Sequence, residues 1–295
     1  MRAAPGLQVL PGAGLVGSFA AYGLVVWLVV AGLAWIGLGS RARRVAAPLA
    51  LALAGLHAAW LAPYYVADDR PLTGPTVTIL SVNVLGGATD PDALTRAAAW
   101  ADVVVLLEYD RSTDAALAAR DWGRRFPYRV GGPAPDAVGS VVFARRPLRE
   151  VATLDTRFAT YLLEVDPGRP GAFGLLAGHP VNPPISRTGW VHEATLLTTA
   201  ARGYAGPRLV VIGDLNSTPD HVTIRRMRAA ADLRDAFDEA GAGWPRTYPA
   251  NRRLIPPLLG LDQALLRGGV YAVSATTVRV PGSDHLGIRV VLALG

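Results

Sequence analysis

The stretch Val210-Val211-Ile212-Gly213-Asp214-Leu215-Asn216-Ser217-Thr218-Pro219 decides how this chain is read. It starts as an apolar, β-branched strand and ends in an acid, an amide and turn-forming residues. A buried strand that delivers Asp214 and Asn216 together at its C-terminal edge holds two oxygen-bearing side chains rigidly. Such ligands suit a hard divalent cation and the phosphate it binds. Other predicted strands end the same way. Asn83 closes Leu80-Ser81-Val82-Asn83, and Glu108 closes Val105-Leu106-Leu107-Glu108. His179 follows Leu176-Ala177-Gly178, and Ser283-Asp284-His285 precedes the last strand. Asp262 stands inside an otherwise apolar run, Leu261-Asp262-Gln263-Ala264-Leu265. Singly, each is an ordinary turn former or solvated side chain. Together they form an oxygen-rich set with two histidines, which turn chemistry does not explain.

Around these positions, β-rich runs are expected at 77–84, 103–107, 138–144, 161–165, 173–177, 208–212, 259–266, 271–280 and 288–294. Helices are expected at 90–100, 186–202 and 220–231, the first with Asp90 as N-cap and Pro91 at its first position. The fully apolar run at 103–107 calls for cover on both faces. Many strands with interspersed helices predict an α/β (α+β) fold, a two-sheet β-sandwich flanked by helices. No internal repeat is evident.

The N-terminal part is different. No acid occurs before Asp68, and two uncharged apolar stretches, 15–38 and 45–66, flank a basic loop at 39–44. Each exceeds the ~20 residues a helix needs to cross a bilayer. A transmembrane helical hairpin is the expected arrangement. The alternative for the first stretch is a cleaved signal peptide, with Arg2 as its basic start and a small-residue site near Gly32-Leu33-Ala34, but signal cores usually run only ~7–15 residues. Arg41, Arg43 and Arg44 favour a cytoplasmic loop and place both chain ends outside, with Arg2 on the competing side. His57 is read as a helix-packing residue, and the scarcity of intramembrane charge disfavours a transport path. The expected organisation is a membrane region at 1–67, a linker at 68–75 and a catalytic domain at 76–295.

A hydrophobic fraction of 51% and a mean hydropathy of +0.28 reflect that N-terminal excess. The net charge of +6 suggests nucleic acid, yet four of the 29 basic residues precede Asp68. The remainder is close to neutral against 23 acids, without the basic footprint of a general DNA binder. The absence of cysteine fits either side of a membrane.

The order Asn83, Glu108, His179, Asp214-x-Asn216, Asp284-His285 resembles the endonuclease/exonuclease/phosphatase family, over about 76–295. Gly213–Pro219 is similar to the family's GDFN-type signature and Ser283-Asp284-His285 to its terminal SDH. Gly139–Arg146 resembles its G-x-x-x-x-S/A-R strand, and Thr247-Tyr248-Pro249 its T-W/Y-P turn. The resemblance implies a DNase I-like sandwich and a metal-dependent phosphoric ester hydrolase using Mg²⁺ or Mn²⁺. It implies Asn83, Glu108 and Asp284 as metal ligands, and His179, Asp214, Asn216, Asp262 and His285 as catalytic residues. His285, oriented by Asp262, would be a base or, protonated, a phosphate contact. Asp214 would orient or deprotonate the attacking water, Asn216 would donate to a phosphoryl oxygen, and His179 would contact that oxygen or act as acid. Gln263 departs from the aromatic or His common in the family, which puts local substrate contacts in question, and any phosphate grip away from the metal must come from Arg or amides because the chain has no lysine. The expected function is a membrane-anchored phosphodiesterase or phosphatase, with the catalytic domain outside the cytoplasm. Nucleic acid, a phospholipid head group and a small phosphoester all remain open as substrates, and the bilayer is the other partner. The competing expectation is an inactive binding module on the same scaffold.

Overall fold

The computed structural model describes residues 12–70 and 74–295. Arg2 and linker residues 71–73 lie outside the described residues. Among those described, two helices are long and apolar enough to cross a membrane. The first apolar stretch is not one helix. It divides into α1 (Ala13–Ser18), a 3-10 turn at Ala20–Tyr22, and α2 (Gly23–Gly37). The second is α3 (Ser40–Leu61), followed by a 3-10 turn at Ala62–Tyr65. Small residues Ala31, Ala34, Ala47, Ala50 and Ala54 are the buried ones on α2 and α3, while large ones such as Val25, Leu33, Trp35, Ile36, Val45 and Leu49 are exposed. The His57 ring lies where a Cβ on Gly23 would stand, so glycine there lets the two helices approach closely.

The rest is a two-sheet sandwich. Its first half contains β1 (Thr76–Asn83), α4 (Pro91–Ala97), β2 (Val103–Leu107), α5 (Arg111–Ala118), α6 (Trp122–Arg125), β3 (Tyr128–Gly132) and β4 (Ser140–Ala144). The second runs through β5 (Leu148–Leu154), β6 (Thr160–Val165), β7 (Phe173–Ala177), α7 (Arg187–Gly203), β8 (Leu209–Asp214) and α8 (Val222–Ala231). The chain ends with β9 (Arg234–Asp235), α9 (Ala236–Glu239), β10 (Asp262–Arg267), β11 (Val270–Val278) and β12 (Gly287–Leu294). One six-stranded sheet has the order β11-β12-β1-β2-β4-β3 and the other β5-β6-β7-β8-β10-β9.

Period-two alternation explains the layering. On β2, Val103, Val105 and Leu107 face the other sheet, meeting Leu175 and Ala177 of β7 and Val210 and Ile212 of β8 in the central core. Val104 and Leu106 face outward under Leu94 of α4, Leu117 of α5 and Trp122. On the far side Leu176 and Val211 meet Leu197 of α7 with Ile224 and Met227 of α8. Both faces of the central strands are therefore dry. Asp90 caps α4 by accepting from the amides of Asp92 and Ala93, as its place before Pro91 suggested.

Each sheet is antiparallel except for one central parallel pair, β1 with β2 and β7 with β8. Parallel neighbours require a crossover, here through α4 and through α7. The consequence for function is direct: these four strands run out at one rim, where their ends carry Asn83, Glu108, His179 and Asp214. Gly213, at φ 145°, lets β8 pass close to β7, and a Cβ there would stand 2.1 Å from the Gly178 carbonyl oxygen. Gly213→Ala combines a backbone–backbone clash with backbone strain, so a loss of about 2–4 kcal/mol is expected in a denaturant titration.

Candidate active site

The polar strand ends converge on Asp214, which is 2% exposed. Its Oδ1 accepts from the Asn216 amide at 3.0 Å. Its Oδ2 accepts from Asn83 Nδ2 at 3.3 Å and lies 3.5 Å from His285 Nε2 and 3.9 Å from His179 Nε2. Asn83 also donates through Nδ2 to Glu108 Oε1 at 2.8 Å, while its Oδ1 accepts from the Leu85 amide at 3.1 Å. Asn83 thus bridges the two acids, a hydrogen-bonding part beyond the ligand role expected of it.

Strand register builds the histidine pair. Asp262 is the cross-strand partner of Asp214 in the antiparallel β8–β10 ladder. His285 Nδ1 is 2.8 Å from Asp262 Oδ2 and its Nε2 faces Asp214, so the ring is held between two carboxylates. Thr247 Oγ1 accepts from the amides of Leu261 and Asp262 at 3.1 and 3.3 Å, fixing the entry to β10. Ser283 Oγ donates to the Asn83 carbonyl at 2.6 Å and accepts from the His285 amide at 3.0 Å, which ties the loop before β12 to the end of β1.

Local backbone conformation contributes as well. Glu108 has φ 53° and Asn216 φ 47°. Asn tolerates the left-handed region, but Glu does so at a cost of about 1–3 kcal/mol. The left-handed residue ends β2 with the Glu108 carboxylate in hydrogen-bond reach of Asn83. Asn216 Nδ2 donates to the Pro180 carbonyl at 2.9 Å, joining the turn after β8 to the one after β7. Gln263, at the family's aromatic or His position, is buried and donates to the Ser217 carbonyl, stiffening the same turn.

Electrostatics differ sharply between the two histidines. Burial pushes His179 down to about 4, against the pull of Asp214 and with His285 adding to the depression. Its ring stacks on Phe158 at 4.5 Å, and its buried Nδ1 has no partner. Burial also opposes charge on His285, but Asp214, Asp262 and Asp284 outweigh it and raise it to about 10. At neutral pH the site therefore holds one neutral imidazole and one imidazolium. Glu108 is raised, first by burial and then by the charges of Asp214 and Asp284, with the Asn83 hydrogen bond opposing them.

All the residues expected in the site line one cleft or touch those that do. Glu108, His179, Asp214, Asn216, Asp284 and His285 line a cavity of about 600 Å³. Asn83 and Asp262 sit behind it, fully buried. Three contributors escaped the sequence reading: Phe158, Thr160 and the N-terminal segment. Thr160 Oγ1 accepts from the His179 amide at 3.2 Å. Nothing local marks Phe158 or Thr160, which belong to the β6 edge of the rim.

A family model described as the Endonuclease/Exonuclease/phosphatase family matches residues 80–285. No curated protein matches the chain in sequence. Solved structures similar to it include truncated Caenorhabditis elegans TDP2, at 16% identity and TM-score 0.60, covering 76% of this chain and 100% of that one. D. rerio TDP2 complexed with single strand DNA product gives 17% and 0.56, covering 74% and 98%. The human Nocturnin catalytic domain with bound sulfate gives 17% and 0.55, covering 76% and 97%. These likenesses establish a DNase I-like sandwich. The chain belongs to the endonuclease/exonuclease/phosphatase family. It is a phosphoric ester hydrolase.

Proposed function

We propose that the chain is a membrane-anchored, divalent-metal-dependent phosphodiesterase. The observation that carries this reading is the connected set Glu108–Asn83–Asp214–His285–Asp262, joined by hydrogen bonds and by the 3.5 Å Asp214–His285 ion pair, at the rim where both parallel strand pairs end. The single-strand DNA product bound by the D. rerio neighbour supports a phosphodiester as the bond attacked.

A dication fits the residues present. Glu108 and Asp284 offer hard carboxylate oxygens beside the cleft, both half-buried. The buried Asp284 Oδ1 has no hydrogen-bond partner, and Glu108 is pushed up partly by its acidic neighbours. Asp214, Asp262 and His285 also present ligand atoms within 4.8 Å of one another. There, however, an ion would displace the His285–Asp262 hydrogen bond inside a fully buried pocket, whereas Mg²⁺ keeps several waters and takes one or two carboxylates. Glu108 and Asp284 are thus the preferred holders, with Asn83 bracketing Glu108. When bound, Mg²⁺ or Mn²⁺ would act as a Lewis acid on the phosphate and neutralise charge on the leaving oxygen.

The chain's own residues supply the rest. Asp214, held by Asn83 and Asn216, orients an attacking water and accepts its proton as the new P–O bond forms. His285, kept cationic between Asp262 and Asp214, sets a positive charge beside the phosphate position and stabilises the phosphoryl charge through space. Neutral His179 donates from Nε2, a part that desolvation preserves. The old P–O ester bond breaks, and the leaving alkoxide takes a proton from solvent water, to which Asp214 then gives up the proton it accepted. Asp262 touches no substrate but orients His285 and sustains its charge.

Anchoring is supported by α2 and α3, whose small residues face each other and whose large apolar ones face outward. In water that would leave a patch far larger than soluble proteins expose. The expected basic loop at 39–44 is instead the start of α3, and Arg41, Arg43 and Arg44 there, at the far end of the hairpin, support a cytoplasmic connection with the sandwich on the opposite side. The test is release of p-nitrophenol from bis-p-nitrophenyl phosphate by the purified full chain in detergent, with Mg²⁺ supplied. Saturable turnover is expected. A folded chain that binds Mg²⁺ without turning over this ester would defeat the proposal.

A further inference from the structure

We infer that the cleft opens at the bilayer surface and takes a phosphodiester carried by a membrane amphiphile, its phosphate at Asp214 and its tail along an apolar wall. This inference rests on the phosphodiesterase reading and names its substrate class. The first observation is that α1 forms part of the cleft. Gly14, Leu15 and Ser18 line the same cavity as Glu108, His179 and Asp214. α1 is fastened there by buried His221, whose Nε2 lies 2.9 Å from the Gly14 carbonyl and 3.2 Å from Ser18 Oγ.

The apolar helical span Ala20–Gly37 starts almost at once. Tyr22 donates to the Leu258 carbonyl at 2.9 Å and meets Trp244 edge-on at 5.3 Å, and α2 begins at Gly23. The five steps from Ser18 to Gly23 span at most ~18 Å even if fully extended. The return end is fastened too. Tyr64 is buried in the sandwich core, its hydroxyl donates to Asp235 Oδ2 at 2.9 Å and its backbone carbonyl accepts from the Gly243 amide at 2.6 Å. With both ends of the hairpin bonded to the sandwich, the cleft cannot swing freely away from the membrane plane.

The lips of the cleft have the chemistry of that location. Leu15 is 67% exposed and Ile185 50% exposed, and Pro184 and Leu259 extend the same apolar lining. A bare phosphate needs none of these. Beside them, residues 251–256 form a wholly exposed loop, with Arg252 and Arg253 next to Leu254, itself 91% exposed, and Ile255. The loop leaves the rim at Ala250, whose amide donates to the Asp284 carbonyl at 2.6 Å, and returns at Leu258, the residue that Tyr22 holds. Adjacent arginine and large apolar side chains, next to the start of a membrane helix, suit insertion among anionic head groups. Single-stranded nucleic acid would use the arginines but leave Leu254 and Leu15 in water.

The test uses one scissile bond with two tails. The full chain in vesicles of phosphatidylcholine with phosphatidylglycerol is given p-nitrophenyl hexadecyl phosphate in the same bilayer, or p-nitrophenyl methyl phosphate in solution. The long-chain ester should be turned over with kcat/KM at least about tenfold higher. The double substitution Leu254→Asp, Ile255→Asp should lower that value about tenfold and leave methyl ester turnover within about twofold, which also shows that the variant is folded. Equal turnover of the two esters, a preference untouched by the double substitution, or faster cleavage of single-stranded DNA would overturn the inference. If the unaltered chain cleaves neither ester, the phosphodiesterase reading itself fails and this inference goes with it.

Discussion

Replacing Asp214 by Asn should lower kcat on bis-p-nitrophenyl phosphate by about 10²–10⁴-fold, the range typical for loss of a positioned base. The substitution keeps side-chain size and can still accept from the Asn216 amide at Oδ1. It fails at the other atom. Oδ2 faces Asn83 Nδ2, His285 Nε2 and His179 Nε2, which act as donors in the reading above. An amide nitrogen placed there meets donors with a donor, and an amide oxygen placed there removes the acceptor for Asn216. Either orientation also removes the negative charge that does most to keep His285 protonated against burial. The His285 pKa should therefore fall toward its ordinary value, which ring-proton NMR titration would register. A thermal melt separates this effect from unfolding. If Asp214→Asn retained near-normal kcat with a native melt, Asp214 would not be the base and the proton would have to go elsewhere.

The residues that made the site legible are those where burial and polarity conflict. Asp214 and Glu108 each follow a run of apolar residues, and the structure places both where two parallel strand pairs run out. Asp262, inside its own apolar run, proves to be fully buried opposite Asp214. The central strands were legible for the same reason: covered on both faces, β2 and β7 are continuous apolar runs whose expected bounds coincide with the observed ones. The edges were not. β3, β5 and β9 lie at or beside solvent-exposed margins, and strands there carry polar residues and glycine that break the alternation. α5 escaped because its apolar content is only Ala115, Ala116, Leu117 and Ala118, although Asp110 caps it by accepting from the Thr113 amide. Nor could periodicity divide the first apolar stretch. Residues 15–38 are uncharged and mostly apolar, and only the tertiary contacts of Ser18 and Tyr22 with His221 and Leu258 make α1 part of the cleft.

Glu108→Gln should separate the demands of the metal from those of the fold. The ionised Glu108 side chain is half-buried among Asp214 and Asp284, with Asn83 as its hydrogen-bond donor. Gln retains the acceptor for Asn83 and removes one of three crowded negative charges. Activity should fall about 10²-fold, and the Mg²⁺ concentration for half-maximal rate should rise by about 10–100-fold, as for other losses at a metal's immediate surroundings. Stability without metal should move the opposite way. A carboxyl raised in the folded state holds its proton there more tightly than in the unfolded chain. Stability thus declines as pH rises from the usual carboxylate range through the raised value, and in the metal-free protein ionised Glu108 opposes folding above it. Glu108→Gln abolishes that decline, so in chelator its melting temperature should exceed the parent's by more at pH 8 than at pH 5. Adding Mg²⁺ should reverse the ranking, because a ligand that binds only the folded chain stabilises in proportion to its affinity. A variant that Mg²⁺ stabilises as much as the parent would remove Glu108 from the metal site and shift attention to the Asp214–Asp262–His285 group instead.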